Sequence, residues 1–80
     1  MADLQAELRA ILVETGGLAL DFDGDADLYS DLGLASIKAM ELLQTLEEKF
    51  GVAVPDDEFV EATTLNKLGV LMARLVAERP

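Results

Sequence analysis

Eighty residues give room for one small domain, near the lower limit at which a single core sustains a fold. About half of them are apolar, which excludes a highly charged disordered polypeptide, and the formal net charge of −10 argues against nucleic acid or anionic membrane as a partner and favours basic protein surfaces. Cys and His are absent, which removes disulfides, thiolate nucleophiles, imidazole bases, ordinary zinc sites and hydrolase triads, so that any thiol chemistry must come from an attached group and the chain reads as a non-enzyme.

The first expected element is a helix over residues 2–15. Leu4, Leu8, Ile11 and Leu12 share one face, Asp3 complements the positive end of the dipole, and Gly16-Gly17 ends the segment. From Leu18 to Leu34 no regular period exists. Asp21, Asp23, Asp25, Asp27 and Asp31 alternate there with Leu18, Leu20, Phe22, Leu28 and Tyr29, a pattern that predicts a long acidic loop pinned across the helix ends by its apolar residues. The run Asp21-Phe22-Asp23-Gly24-Asp25 raises a calcium-loop reading. It fails in register: counted from Asp21, the glycine position holds Ala26 and the twelfth position holds Leu32. A solvated acidic loop with weak, nonspecific divalent binding is the expectation.

A turn carrying Gly33 then delivers Ser36 to the start of a second helix, expected over 36–50. Its apolar stripe is read as Ile37, Met40, Leu43, Leu46 and Phe50, with Leu42 off the stripe beside Leu46, and burying five such side chains would contribute on the order of 10 kcal/mol before entropy. Ser36 is expected at or next to the N-cap, and Gly51 at the C-terminal left-handed position that glycine takes without steric cost. Lys38, Glu41, Glu47 and Glu48 fall on the opposite, solvated face. Val52-Ala53-Val54-Pro55 reads as extended, followed by a short helix over 56–61. Thr63-Thr64 offers a cap for a last helix over 65–78, whose stripe is Leu65, Leu68, Leu71, Met72, Leu75 and Val76 and whose end carries Arg74 and Arg79. The fold class is therefore all-α, a single domain over 1–80. It is a small bundle of three long helices and one short one, with a long loop between the first two. An up-down arrangement of the long helices would leave the Ser36 hydroxyl exposed at one tip.

The run Leu32-Gly33-Leu34-Ala35-Ser36-Ile37, the helix end Leu46-Glu47-Glu48-Lys49-Phe50-Gly51 and the following Val54-Pro55-Asp56-Asp57-Glu58 resemble an acyl carrier protein over nearly the whole chain. The resemblance implies that Ser36 carries 4′-phosphopantetheine, derived from coenzyme A, whose thiol holds acyl or aminoacyl groups as thioesters. It implies as partners a phosphopantetheinyl transferase and the acyl- or aminoacyl-loading enzymes and synthases, docking through basic patches onto the second helix. Ile37, Lys38, Met40, Glu41, Glu47 and Glu48 are the candidate docking residues. Two positions depart from the family pattern. Ala35 stands where an Asp is usual, and Lys38 puts a positive charge where the helix dipole disfavours it. Bulky Phe59 and Leu68 stand where carriers that hide long acyl chains often have small residues. These features point to a specialised carrier of lipid, polyketide or peptide-type biosynthesis, not the housekeeping fatty acid carrier.

Taken alone, a serine before an amphipathic helix is a cap. The rival reading is thus an acidic helical interaction module without a prosthetic group. No apolar run reaches the length of a membrane span and the N-terminus lacks a signal-peptide pattern, so a cytoplasmic monomer is expected.

Overall fold

The computed structural model describes residues 3–79. Four helices appear in it: α1 over Leu4–Gly16, α2 over Ser36–Phe50, α3 over Asp56–Glu61 and α4 over Leu65–Glu78. The last three match the expected ranges. For α1, Asp3 is the N-cap itself, its carboxylate accepting from the Gln5 N–H at 3.1 Å, so the helix begins at Leu4. Ala2, the expected first helical residue, lies outside the described residues. Thr64 caps α4 by accepting from the Lys67 N–H at 3.1 Å. Gly51 ends α2 with φ 64°, its N–H donating to the Glu47 carbonyl, as a left-handed C-cap requires.

α1 packs against both α2 and α4, while α3 packs on α4. The centre is leucine-rich: Leu8, Leu12, Leu28, Leu42, Leu46, Leu65, Leu68 and Met72 are fully buried, and no polar or charged residue among those described is buried with them. The α4 stripe is as expected at Leu65, Leu68, Leu71 and Met72, with Leu75 and Val76 partly buried at its edge.

The α2 stripe differs. Its core line is Leu42, Leu46 and Phe50, whereas Ile37 and Met40 are 69% and 67% exposed and Leu43 is partly buried. Both readings share Leu46 and Phe50, because steps of three and of four diverge only slowly along a 3.6-residue period. The packing of α1 selects the line that runs through Leu42, and the five-residue burial expected from the sequence reduces to three. Ile37 and Met40 are left on the surface of the first two turns.

Strict up-down alternation does not hold either. At one end, the Leu28 N–H donates to the Thr63 carbonyl at 2.8 Å and the Leu34 N–H to the Leu28 carbonyl at 2.8 Å, which places the starts of α2 and α4 together. At the other, Arg79 donates to the Phe50 carbonyl at 2.5 Å, which joins their C-terminal ends. The two helices run in the same sense. The chain can return because residues 51–64, with α3 among them, span the length of the bundle between them.

The loop between α1 and α2 is pinned, as its apolar content predicts. Phe22, Leu28 and Leu34 are buried, and Arg9 donates to the Leu20 and Phe22 carbonyls while its guanidinium lies 4.3 Å above the Phe22 ring. The Asn66 N–H, in the first turn of α4, donates to the Gly24 carbonyl at 3.1 Å.

Candidate functional site

The segment before α2 is set by Asp27 and Gly33. The Asp27 carboxylate accepts from the Tyr29 N–H at 2.8 Å and the Ser30 N–H at 2.9 Å, and Asp31 accepts from the Asp27 N–H at 2.9 Å. The Ser30 and Tyr29 backbone donors hold the Asp27 carboxyl below its ordinary pKa, because hydrogen bonds to the ionised form favour it. Gly33 then turns the chain with φ 74°, a conformation that side-chain-bearing residues rarely adopt. Leu34 is buried directly after it and anchors the approach to Ser36.

Of the two places the sequence allows, at or next to the N-cap, Ser36 takes the second. Ala35 occupies the N-cap position with extended φ/ψ and no side-chain hydrogen bond, so Ser36 is the first helical residue and its hydroxyl is exposed. Among the described residues that hydroxyl has no hydrogen-bond partner. Ala35 decides between the two places. Its carbonyl accepts the first helical bonds, from Lys38 at 2.9 Å and Ala39 at 3.1 Å, so the helix opens one residue before the serine could cap it.

Beside Ser36 lies an open, mostly apolar cleft of about 440 Å³. α2 contributes Ser36, Ala39, Met40 and Leu43 to it, α3 contributes Asp56, Phe59 and Val60, and the loop contributes Tyr29. Phe59 is buried and Tyr29, Ala39 and Leu43 are partly so, which makes these the inner side, while Met40 and Val60 form an exposed rim. The short α3 is held in place by Phe59, by the contact of Ala62 with the core and by the ion pair of Glu58 with Arg74. Arg74 therefore bridges to α3 and, at 3.7 Å, to Glu78, instead of serving the end of its own helix.

Of the candidate docking residues, Ile37, Lys38, Met40, Glu41 and Glu48 are exposed along α2. Lys38 sits 3.6 Å from Glu41, a solvent-exposed pair that contributes little to stability. Glu47 is different: it is partly buried and its carboxylate accepts from the Val54 N–H at 2.9 Å, tying the extended segment before α3 back onto α2. Tyr29, Asp56 and Val60 were not singled out as site residues from the sequence. The one signal for Tyr29 was its being the sole tyrosine, set in an otherwise aspartate-rich loop. As for the loop aspartates, Asp23, Asp27 and Asp31 accept from nearby backbone N–H groups and Asp25 accepts from the Asn66 side chain. Among the described residues no three acidic side chains come together as metal ligands.

A helical bundle with no strand among its described residues, a free serine hydroxyl opening its second helix and an apolar cleft at that hydroxyl define the architecture of a carrier protein. The family described as "phosphopantetheine attachment site" has a model that matches residues 6–69, four-fifths of the chain. The chain belongs to this family, as a carrier protein of the acyl carrier protein kind. The family is defined by covalently attached 4′-phosphopantetheine, and its domains are generally carriers rather than catalysts. A carrier of this kind works with a phosphopantetheinyl transferase and with the enzymes that load and unload it. Among the described residues no helix is long and apolar enough to cross a membrane.

The residues present fit the group. An exposed hydroxyl stands on the first turn of a 15-residue helix, with no side chain capping that turn and Lys38 within it. A phosphodiester there meets the positive end of the helix dipole.

Proposed function

We propose that Ser36 is the attachment residue and that the protein presents acyl or aminoacyl groups, bound as thioesters, to partner enzymes of lipid, polyketide or peptide-type biosynthesis. The observation that carries this is the exposed, unpartnered Ser36 hydroxyl at the rim of the apolar cleft, inside the matched segment. Only one other serine exists, Ser30, whose backbone N–H donates to the Asp27 carboxylate at 2.9 Å and which lies outside the cleft lining. Of the two, Ser36 is the serine that opens a long helix and lines the cleft.

The bound group supplies a terminal thiol, which this chain lacks, and thereby an activated thioester. The protein's own part is positional. Ser36 fixes the point of attachment, the first turn of α2 offsets the phosphodiester charge, and the cleft between α2 and α3 offers apolar cover to what is carried. Ile37 and Met40, both exposed at the same end, give a partner apolar contact, with Glu41 and Glu48 along α2 as the acidic side of a charge-complementary interface. Phe59 is buried on the inner side of the cleft and Leu68 is fully buried in the core; two such bulky side chains favour short cargo lying at the surface and a specialised carrier over one that hides long chains in its core.

Intact mass tests the assignment. Incubation with coenzyme A and a broad-specificity transferase should add one phosphopantetheine, Ser36→Ala should abolish the addition, and Ser30→Ala should leave it. Absence of any addition under several transferases would favour the acidic interaction module without a prosthetic group.

A further inference from the structure

We infer that Tyr29 is a positioning residue for the loaded arm, its hydroxyl donating a hydrogen bond to a carbonyl of the acyl-pantetheine chain lying in the cleft between α2 and α3. The inference rests on Ser36 being the attachment residue, since the occupant is the chain tethered at the cleft's rim.

The lining of the cleft is short of donors. Ala39, Met40, Leu43, Phe59 and Val60 offer no polar side-chain atom that donates. Of the three polar residues there, Ser36 gives up its hydroxyl proton on attachment, and Asp56 brings an exposed carboxylate, an acceptor. Tyr29 remains. Its ring packs partly buried against the core, and its hydroxyl has no hydrogen-bond partner among the described residues. Burial first, and then the negative charge of Asp27, raises its pKa above the ordinary phenol value, so the hydroxyl keeps its proton throughout the neutral range.

The occupant's chemistry matches that shortage. A pantetheine arm carries two amide groups, and a loaded arm adds a thioester, so its polar atoms include three carbonyl oxygens. A carbonyl that leaves water for an apolar cleft loses its hydrogen bonds unless a donor meets it. Tyr29 is the side chain on this lining able to do so. It turns a cover that would be merely apolar into one that fixes where the chain lies.

The chain has one tyrosine and no tryptophan, so ultraviolet absorbance reports on residue 29 alone. The protein is compared unmodified and loaded with a short neutral acyl group through an amide-linked coenzyme A analogue, which survives the alkaline end of a titration. Intact mass first confirms one arm. The phenol midpoint should then rise in the loaded protein by about half to one pH unit, the titration equivalent of one net hydrogen bond made by the neutral form. Tyr29→Phe keeps the ring and should keep the melting temperature, while the true thioester on this variant should hydrolyse at pH 8 at a rate changed roughly twofold to tenfold, faster where the lost bond held the chain in the cleft and slower where it polarised the thioester carbonyl. An unchanged phenol midpoint on loading, or an unchanged hydrolysis rate in Tyr29→Phe, overturns the inference while leaving Ser36 as the attachment residue. Failure to add any arm is a separate result, and it removes both.

Discussion

Asp27 shows how one side chain sets the approach to the serine. Its carboxylate accepts from two consecutive backbone N–H groups, those of Tyr29 and Ser30, and so shapes the turn that carries Tyr29 to the cleft. Those bonds lower its pKa in the folded protein. A lowered folded-state value means that the ionised carboxylate's stabilisation is complete above the unfolded value of about 4 and is lost as pH falls through the folded value. Asp27→Ala should therefore lower the melting temperature at pH 7, and the gap between variant and parent should narrow as the pH is taken from 5 towards 2. Thermal melts across that range check it, and a gap that stays constant with pH would show that the ionised carboxylate is not what holds the turn. Ser36 illustrates the opposite condition at the same scale. Its hydroxyl takes no part in local structure, which leaves it available to a modifying enzyme.

Among the elements, α2 has three jobs on three sides. Leu42, Leu46 and Phe50 face the core, Ala39, Met40 and Leu43 face the cleft, and Lys38, Glu41 and Glu48 face solvent. Glu47 belongs with the structural set, since its bond to the Val54 N–H holds the segment that leads into α3, the opposite wall of the cleft. Glu47→Ala should destabilise the fold by roughly 1–2 kcal/mol, the net worth of a charge-assisted hydrogen bond plus an orphaned amide. Glu48→Ala, on the exposed side, should change stability by no more than about 0.5 kcal/mol. Denaturant titrations of the two variants separate them, and equal effects would show that the Glu47–Val54 contact contributes nothing. A charge-reversal test of docking is accordingly cleaner on Glu41 and Glu48, where no fold contribution is mixed in.

At the scale of the molecule, sixteen carboxylate side chains face six basic ones with none of either buried among the described residues. The fold therefore carries self-repulsion that counterions relieve. Because the Debye length shrinks to about 10 Å at 0.1 M salt, the melting temperature should rise as salt is raised from near zero. The same screening should slow association of the loaded protein with a basic partner, and Glu41→Lys with Glu48→Lys should slow it further at low salt. Melts and association rates over one salt series read both effects. A melting temperature that falls with salt would rule out self-repulsion as a significant term, and an association rate indifferent to both salt and charge reversal would remove the electrostatic docking face.

Much of this was legible in the order of residues. The helix ranges of α2, α3 and α4 followed from local chemistry alone: Gly51 as a left-handed cap, Pro55 before a short turn, Thr64 before an apolar stripe. So did Ser36 as the candidate residue, through the turn, the helix and their resemblance to a known family. What the sequence could not determine was which side of α2 faces inward, because Ile37–Met40–Leu43 and Leu42–Leu46–Phe50 are both valid helical stripes until α1 packs against one of them. It also could not show that Ser36 leaves the cap to Ala35, that α2 and α4 run in the same sense, or that Tyr29 and Val60 line one cleft. Local patterning is encoded within a few residues of each position. The free hydroxyl, the cleft and the two-sided use of α2 arise from contacts between segments far apart in the chain, which only the folded arrangement decides.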